Sequence, residues 1–172
     1  SGLGSSSTFT VGMLHATYAL INKMPSKYQL AVEAIEIEQN LIGESVGSQD
    51  QTIAAFGGLN RINFSGQREL TVTPLILQPE RLKQFQDHLM LFYTGLSRNA
   101  SDIAKEQINV TPSKSSELEA MIDLCKEAEK SLVESDIPIK EWGRLLNEQW
   151  KLKKSMSKLI TNSEIDHMYK KA

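Results

Sequence analysis

The chain has 172 residues, 40% of them hydrophobic, and a formal net charge of −2 at pH 7. That length suffices for one compact domain or one and a half small ones, and the charge balance lacks the basic excess that a nucleic-acid partner needs. A single cysteine, Cys125, excludes an intramolecular disulfide framework and fits a reducing, cytoplasmic compartment, while no apolar run approaches the roughly 20 residues that cross a bilayer.

The chain opens on Ser1-Gly2-Leu3-Gly4-Ser5-Ser6-Ser7, a glycine-broken turn with hydroxyls that runs straight into a helical pattern. Val11, Leu14, Tyr18 and Ile21 recur at helical spacing and predict a first helix from about Ser6 to Asn22. Met24-Pro25-Ser26 ends it and restarts the chain. Leu30, Ala34, Ile37 and Leu41 define a second helix stopped by Gly43, and Val32 and Ile35 make it apolar on another side, as in a helix buried between layers. The loop Gly43 to Gln49 leads to a short helix from Asp50 to Phe56, broken by Gly57-Gly58. The period then changes. Arg61-Ile62-Asn63-Phe64 and Leu70 to Leu77 read as strands around the turn Ser65-Gly66-Gln67.

The polar stretch Gln78-Pro79-Glu80 predicts a domain boundary. A charged helix from Pro79 to His88, a strand from Leu89 to Tyr93, a turn at Thr94-Gly95-Leu96-Ser97 and a helix opened by Arg98 follow. From Ser115 onward the pattern is helical. Leu118, Ile122, Cys125, Ala128 and Leu132 form one stripe, which assigns Cys125 to packing. Trp142, Leu145, Leu146, Leu152, Met156 and Leu159 form another, and Asn162-Ser163-Glu164 caps a last helix. The spacings of His15, His88 and His167 match no metal site.

The opening turn is phosphate-binding chemistry. Such a turn aims free backbone N–H groups at one point, and the N-terminus of the following helix adds partial positive charge there. It is not a Walker A loop, since the nearest lysine is Lys23, and it is not a dinucleotide fingerprint, since Ser7 stands where a third glycine belongs. An ordinary serine N-cap is the alternative. No strand precedes the turn, so the chain is expected to start within a domain.

Two acids complete the constellation. Glu38 and Asp50 flank the glycine-bearing loop, which can turn both carboxylates toward one point. Helix geometry alone does not select Glu38 over Glu33 or Glu36. Glu36 lies away from the apolar stripe, and Glu33 and Glu38 flank it on opposite sides; proximity to the loop favours Glu38. Asp50 reads as a base beside a metal-bound phosphate or as a helix N-cap.

These residues resemble the GHMP small-molecule kinases. Gly2-Leu3-Gly4-Ser5-Ser6-Ser7 looks like that family's second signature motif, and Gly47-Ser48-Gln49-Asp50-Gln51 resembles the Gly-x-x-Asp-Gln loop of its galactokinase-like members. The interval from Glu38 to Asp50 matches the metal-ligand-to-base interval of that branch. Ala54 to Asn60 and Leu91 to Ser101 look closer to the heptose 7-phosphate kinase subgroup. The family's first motif and its glycine-rich third motif are not in this sequence, which makes the chain resemble an internal piece, inactive alone.

The resemblance implies an α+β, two-domain fold, each domain a sheet with helices packed on one side and truncated at both ends. Residues 1–78 would be the C-terminal part of the catalytic N-terminal domain, and 79–172 part of a ferredoxin-like C-terminal domain. It implies ATP and Mg²⁺ as cofactors. Gly2, Leu3, Gly4, Ser5, Ser6 and Ser7 would hold the ATP phosphates, Ser6 and Glu38 the metal, and Asp50 would be the catalytic base. Thr94 and Arg98 are weaker substrate-binding candidates. The implied reaction carries the γ-phosphate of ATP to the anomeric hydroxyl of a sugar phosphate, most like a heptose 7-phosphate, with no nucleic-acid or membrane partner. The competing readings are a galactokinase-like or other sugar kinase, and a non-catalytic ligand-binding member of the same fold.

Overall fold

A computed structural model of the chain describes residues 3–66, 69–95 and 100–171. Two compact units are present: Ser1–Leu75 with Ser97–Ala104, and Ile76–Leu96 with Lys105–Ala172.

The first unit begins with α1 (Ser5–Leu20), whose N-cap is Gly4 in the left-handed conformation. Pro25 and Ser26 restart the chain, and Ser26 Oγ caps α2 (Lys27–Glu36) by accepting from the Gln29 amide at 3.0 Å. A π-helical turn, Ile37–Leu41, continues α2, and the Ile42 amide donates five residues back to the Ile37 carbonyl. Then come α3 (Gln49–Phe56) and the antiparallel strands β1 (Asn60–Ser65) and β2 (Glu69–Pro74), in register Ile62 to Val72 and Phe64 to Leu70.

The expectation of a helix buried between layers holds for α2. On one side Leu30 and Ala34 pack with Val11 of α1, joined by Leu14, Tyr18, Ala54 and Ala55. On the other, Ala31 and Ile35 pack with Leu70 of the hairpin, joined by Val72 and Phe56. Ala31 and Ala34 are wholly buried, and their small side chains let both neighbours approach closely. Polar contacts fix the register of these layers. The Tyr18 hydroxyl donates to both carboxylate oxygens of Glu33 at 2.7 and 2.9 Å, and Gln29 Nε2 donates to Tyr18 and Glu33. The Glu33 hydrogen bond pushes the Tyr18 phenol above its usual range. Lys27 Nζ donates to the Phe56 carbonyl at 2.7 Å, at the end of α3.

In the second unit the described elements are helices: α4 (Pro79–Asp87), α6 (Ser115–Val133), α7 (Lys140–Met156) and α8 (Ser163–Lys171). A further helix, α5 (Ala100–Val110), runs across the boundary of the two units in sequence and ends in a 3₁₀ turn, Thr111–Ser113. The residues 89–93 expected as a strand are irregular. A strand needs a hydrogen-bonding neighbour, and among the described residues the two strands pair only with each other. Leu91 and Tyr93 are accordingly among the most exposed apolar side chains. The Cys125 expectation also fails. Cys125 and Ile122 are exposed, and Leu118, Met121, Leu124, Ala128 and Leu132 turn inward instead. Both sets fit a helical period, and the packing of α6 on α7 selects the second.

Arg81 secures the second unit. Its side chain is buried, and its guanidinium donates to the carbonyls of Leu132 at 3.2 Å, Ile137 at 2.7 Å, Ser131 and Glu134. These carbonyls lie in and just beyond the last turn of α6, where helical partners run out. Phe85, one turn along α4, meets Trp142 edge-on at 4.7 Å.

Replacing Arg81 with Met should lower the unfolding free energy by about 2–4 kcal/mol, since several charge-assisted bonds to buried carbonyls are lost together; denaturant unfolding of the complete protein checks this. At the start of α6 the Lys114 ammonium, 2.6 Å from Glu117, holds that carboxyl at about 2, below its ordinary 4.5. A group depressed in the folded state stabilises above its unfolded pKa. The contribution of Glu117 should therefore be complete above about pH 4.5 and lost as the pH falls toward 2. A carboxyl-carbon NMR titration reads it, and Lys114→Met should move the Glu117 midpoint upward.

Candidate active site

Three helices of the first unit deliver the site. The left-handed Gly4 (φ 68°) turns the chain into α1, and the first intrahelical bond runs from the Thr8 amide to the Gly4 carbonyl at 2.9 Å. The amides of Ser5, Ser6 and Ser7 thus have no helical acceptor, and the positive end of the helix dipole lies there. Ser5 and Ser6 are exposed and Ser7 is buried.

Glu38 sits in the π-helical turn and is only 2% exposed. Its Oε2 accepts from Ser7 Oγ at 2.9 Å and from Gln51 Nε2 of α3. Its Oε1 is equally buried and has no hydrogen-bond partner among the described residues. The turn also organises the loop after it. The Glu44 amide donates to the Glu38 carbonyl at 2.9 Å, and Gln39 Nε2 donates to the Val46 carbonyl at 2.9 Å and to Ser48 Oγ at 3.2 Å. Thr52 Oγ1 returns a bond to the Ser48 carbonyl at 2.7 Å. These bonds tie the loop to the start of α3, with Ser48 as N-cap and Asp50 within the first turn.

Asp50 lies against the opening turn. A methyl group built on Gly4 would stand 3.3 Å from the Asp50 Cβ and Cγ and 3.4 Å from Oδ2. The carboxyl of Asp50 and the free amides that open α1 thus share one place, and the side chain is exposed. Glu38 and Ser6 also line a groove of about 510 Å³ between α1 and the π turn, with Phe9, Met13 and Ile42 among its apolar walls.

The structure brings together Gly4, Ser7, Glu38 and Asp50, with Leu3, Ser5 and Ser6 in the same turn. The serine bonded to Glu38 is Ser7. Thr94 is half-buried in the irregular stretch of the second unit, and Gly2 and Arg98 lie outside the described residues. Gln51 is the residue to which sequence reasoning gave no role. It is wholly buried, and a signal for it existed: Gln51 shares a helical face with Ala54 and Ala55, so an amide stands on an otherwise apolar side. A carboxylate buried with one oxygen unpartnered is costly unless a cation compensates it. An oxygen donor of this kind beside a serine hydroxyl fits a hard divalent ion such as Mg²⁺.

Residues 1–58 match the family model of the GHMP kinases N terminal domain. By that match the opening third of the chain is similar to the GHMP kinases. Across its whole length it is 32% identical to the D-glycero-alpha-D-manno-heptose 7-phosphate kinase of Campylobacter jejuni, of which it spans 51%. It is 23% identical to the bifunctional fucokinase/GDP-fucose pyrophosphorylase of Arabidopsis thaliana, over 98% of this chain and 16% of that protein. A crystal structure of a D-glycero-D-manno-heptose 1-phosphate kinase from Bacteroides thetaiotaomicron shares the fold, with a TM-score of 0.66 and 28% identity over 90% of this chain and 44% of that one. The chain thus spans about half the length of the heptose kinases it matches, and its helix-rich architecture with a small sheet is that of GHMP kinase relatives.

Gly4→Ala tests the close approach at the opening turn. The left-handed backbone alone should cost about 1–2 kcal/mol in a non-glycine residue. The added methyl must also displace Asp50, so the Asp50 carboxyl resonance should shift in NMR spectra while resonances of α8 stay in place.

Proposed function

We propose that this chain forms part of an ATP-dependent sugar-phosphate kinase. In this reading it transfers the γ-phosphate to the anomeric hydroxyl of D-glycero-D-manno-heptose 7-phosphate, giving the 1,7-bisphosphate. The observation that carries the reading is the buried Ser7–Glu38–Gln51 cluster next to an Asp50 packed on the helix-opening glycine. Phosphoryl transfer asks mainly for alignment and charge neutralisation. The opening turn cradles the nucleotide phosphates with the free amides of Ser5, Ser6 and Ser7. Glu38, with a hydroxyl from the serine turn, would hold Mg²⁺; Ser6 is the serine assigned to it, because Ser7 is already engaged with Glu38 Oε2. With the ion bound, the charge on the phosphate oxygens is neutralised. Asp50 accepts the proton of the sugar hydroxyl as that oxygen attacks the γ-phosphorus.

A second reading has its own support. The solved relative from Bacteroides thetaiotaomicron is named as a heptose 1-phosphate kinase, which would leave a hydroxyl other than the anomeric one as acceptor. Turnover of the complete protein with the 7-phosphate and with the 1-phosphate, product position read by ³¹P NMR, separates the two. Phosphorylation of neither would overturn both.

Asp50→Asn in the complete protein should lower kcat by about 10²–10⁴ while the Kd for Mg-ATP, by isothermal titration, changes little. Near-normal turnover in that variant removes Asp50 from the base role. Glu38→Gln should raise the Mg²⁺ concentration required for activity, and an unchanged metal titration counts against ligation.

A further inference from the structure

The two side chains that fix Glu38 are polar, buried and bonded to the same oxygen. Ser7 Oγ and Gln51 Nε2 both donate to Oε2. Ser7 is 4% exposed and Gln51 fully enclosed, so neither bond is shared with bulk water. Oε1 accepts nothing from the described residues. A carboxylate has two equivalent oxygens, and a free glutamate could offer either one, or both, to a cation. Here one oxygen is saturated by donors from α1 and α3, and the other is left as the only open acceptor.

We propose that Gln51 is a positioning residue: together with Ser7 it pins Oε2 and presents Oε1 alone to the divalent ion. This rests on the assignment of Glu38 as a metal ligand. The carboxylate is thereby pre-organised, so binding the ion does not require freezing its terminal torsion. The position of Gln51 adds a second consequence. It directly follows Asp50, so one short stretch of α3 carries both the proton acceptor and the residue that orients the metal carboxylate. A shift of α3 would move both together and leave their relative placement intact.

The test uses the complete protein and Gln51→Met, which keeps length and shape but removes the donor. Enzyme saturated with a non-hydrolysable ATP analogue is titrated with Mn²⁺, and the free ion is read by electron paramagnetic resonance. The expected result is a loss of Mn²⁺ affinity of about tenfold to a hundredfold, as for other groups that orient a metal ligand. The Kd for the same nucleotide without metal should be unchanged, a split that mere loosening of the fold would not give. A loss of about threefold or less, or an equal loss of metal and metal-free nucleotide affinity, overturns the assignment of Gln51. If Gln51→Met does not fold, Ser7→Ala decides by the same two measurements, because it removes the other donor to Oε2. Glu38→Gln is run in parallel. Unchanged Mn²⁺ affinity there overturns the metal reading, and this inference with it. Lost affinity in Glu38→Gln beside normal affinity in Gln51→Met overturns this inference alone.

Discussion

One enclosed carboxylate governs the first unit. Apolar contact between α1, α2 and α3 is non-directional, and such contacts tolerate sliding and rotation better than they resist it. The bonds from Ser7 and Gln51 to Glu38 are directional and out of water, so they choose one register among the many that hydrophobic packing would accept. Removing either donor would leave a buried charge with fewer partners, which is a penalty rather than a neutral change. The opening turn, the loop and the short helix α3 all inherit their positions from that choice.

The same division of labour recurs in both units. Small alanines on α2 bring layers close, and polar fasteners then stop them from shifting: Tyr18 on Glu33, Lys27 on the end of α3, Gln39 on the loop. In the second unit the fastener is the Arg81 guanidinium, which satisfies carbonyls that the end of α6 leaves open. Rigid placement of chemistry needs this combination, because hydrogen-bonded side chains on helices hold position better than residues on unsupported loops. The segment from Gly43 to Ser48 is a loop, but three side-chain or backbone bonds tie it down before it delivers Asp50.

Much of the first unit was legible because local signals agreed there. The restart at Pro25-Ser26, the doubly apolar α2 and the change of period after Gly57-Gly58 each have a local cause, and α1, α2 and the hairpin follow. Glu38 and Asp50 could be singled out from their place beside a glycine-bearing loop. The orientation of Glu38 could not, because the π turn that carries it has no sequence signature, and helical spacing alone left Glu33 and Glu36 as rivals. Which serine meets Glu38 was equally hidden, since three adjacent hydroxyls at a helix start differ by about 100° steps around the axis and only tertiary packing selects among them. Beyond residue 88 the errors share one cause. An apolar run is not a strand without a neighbour, and an apolar stripe is not a core face until a partner helix takes one side. Leu89 to Tyr93 and Cys125 were read from pattern, and pattern alone does not say whether a distant segment pairs or packs with them.

The widened turn at Ile37–Leu41 makes the site sensitive to residue number more than to residue type. Such a turn is an α-helix carrying one surplus residue. Substitution at the exposed Asn40 or Leu41 leaves the backbone count intact. Deletion of either would draw the helix back to its normal winding and pull the tether at Glu44 and Val46 by one position, so the following loop would reach α3 out of phase. A change of length here therefore disturbs the site more than a change of its exposed side chains.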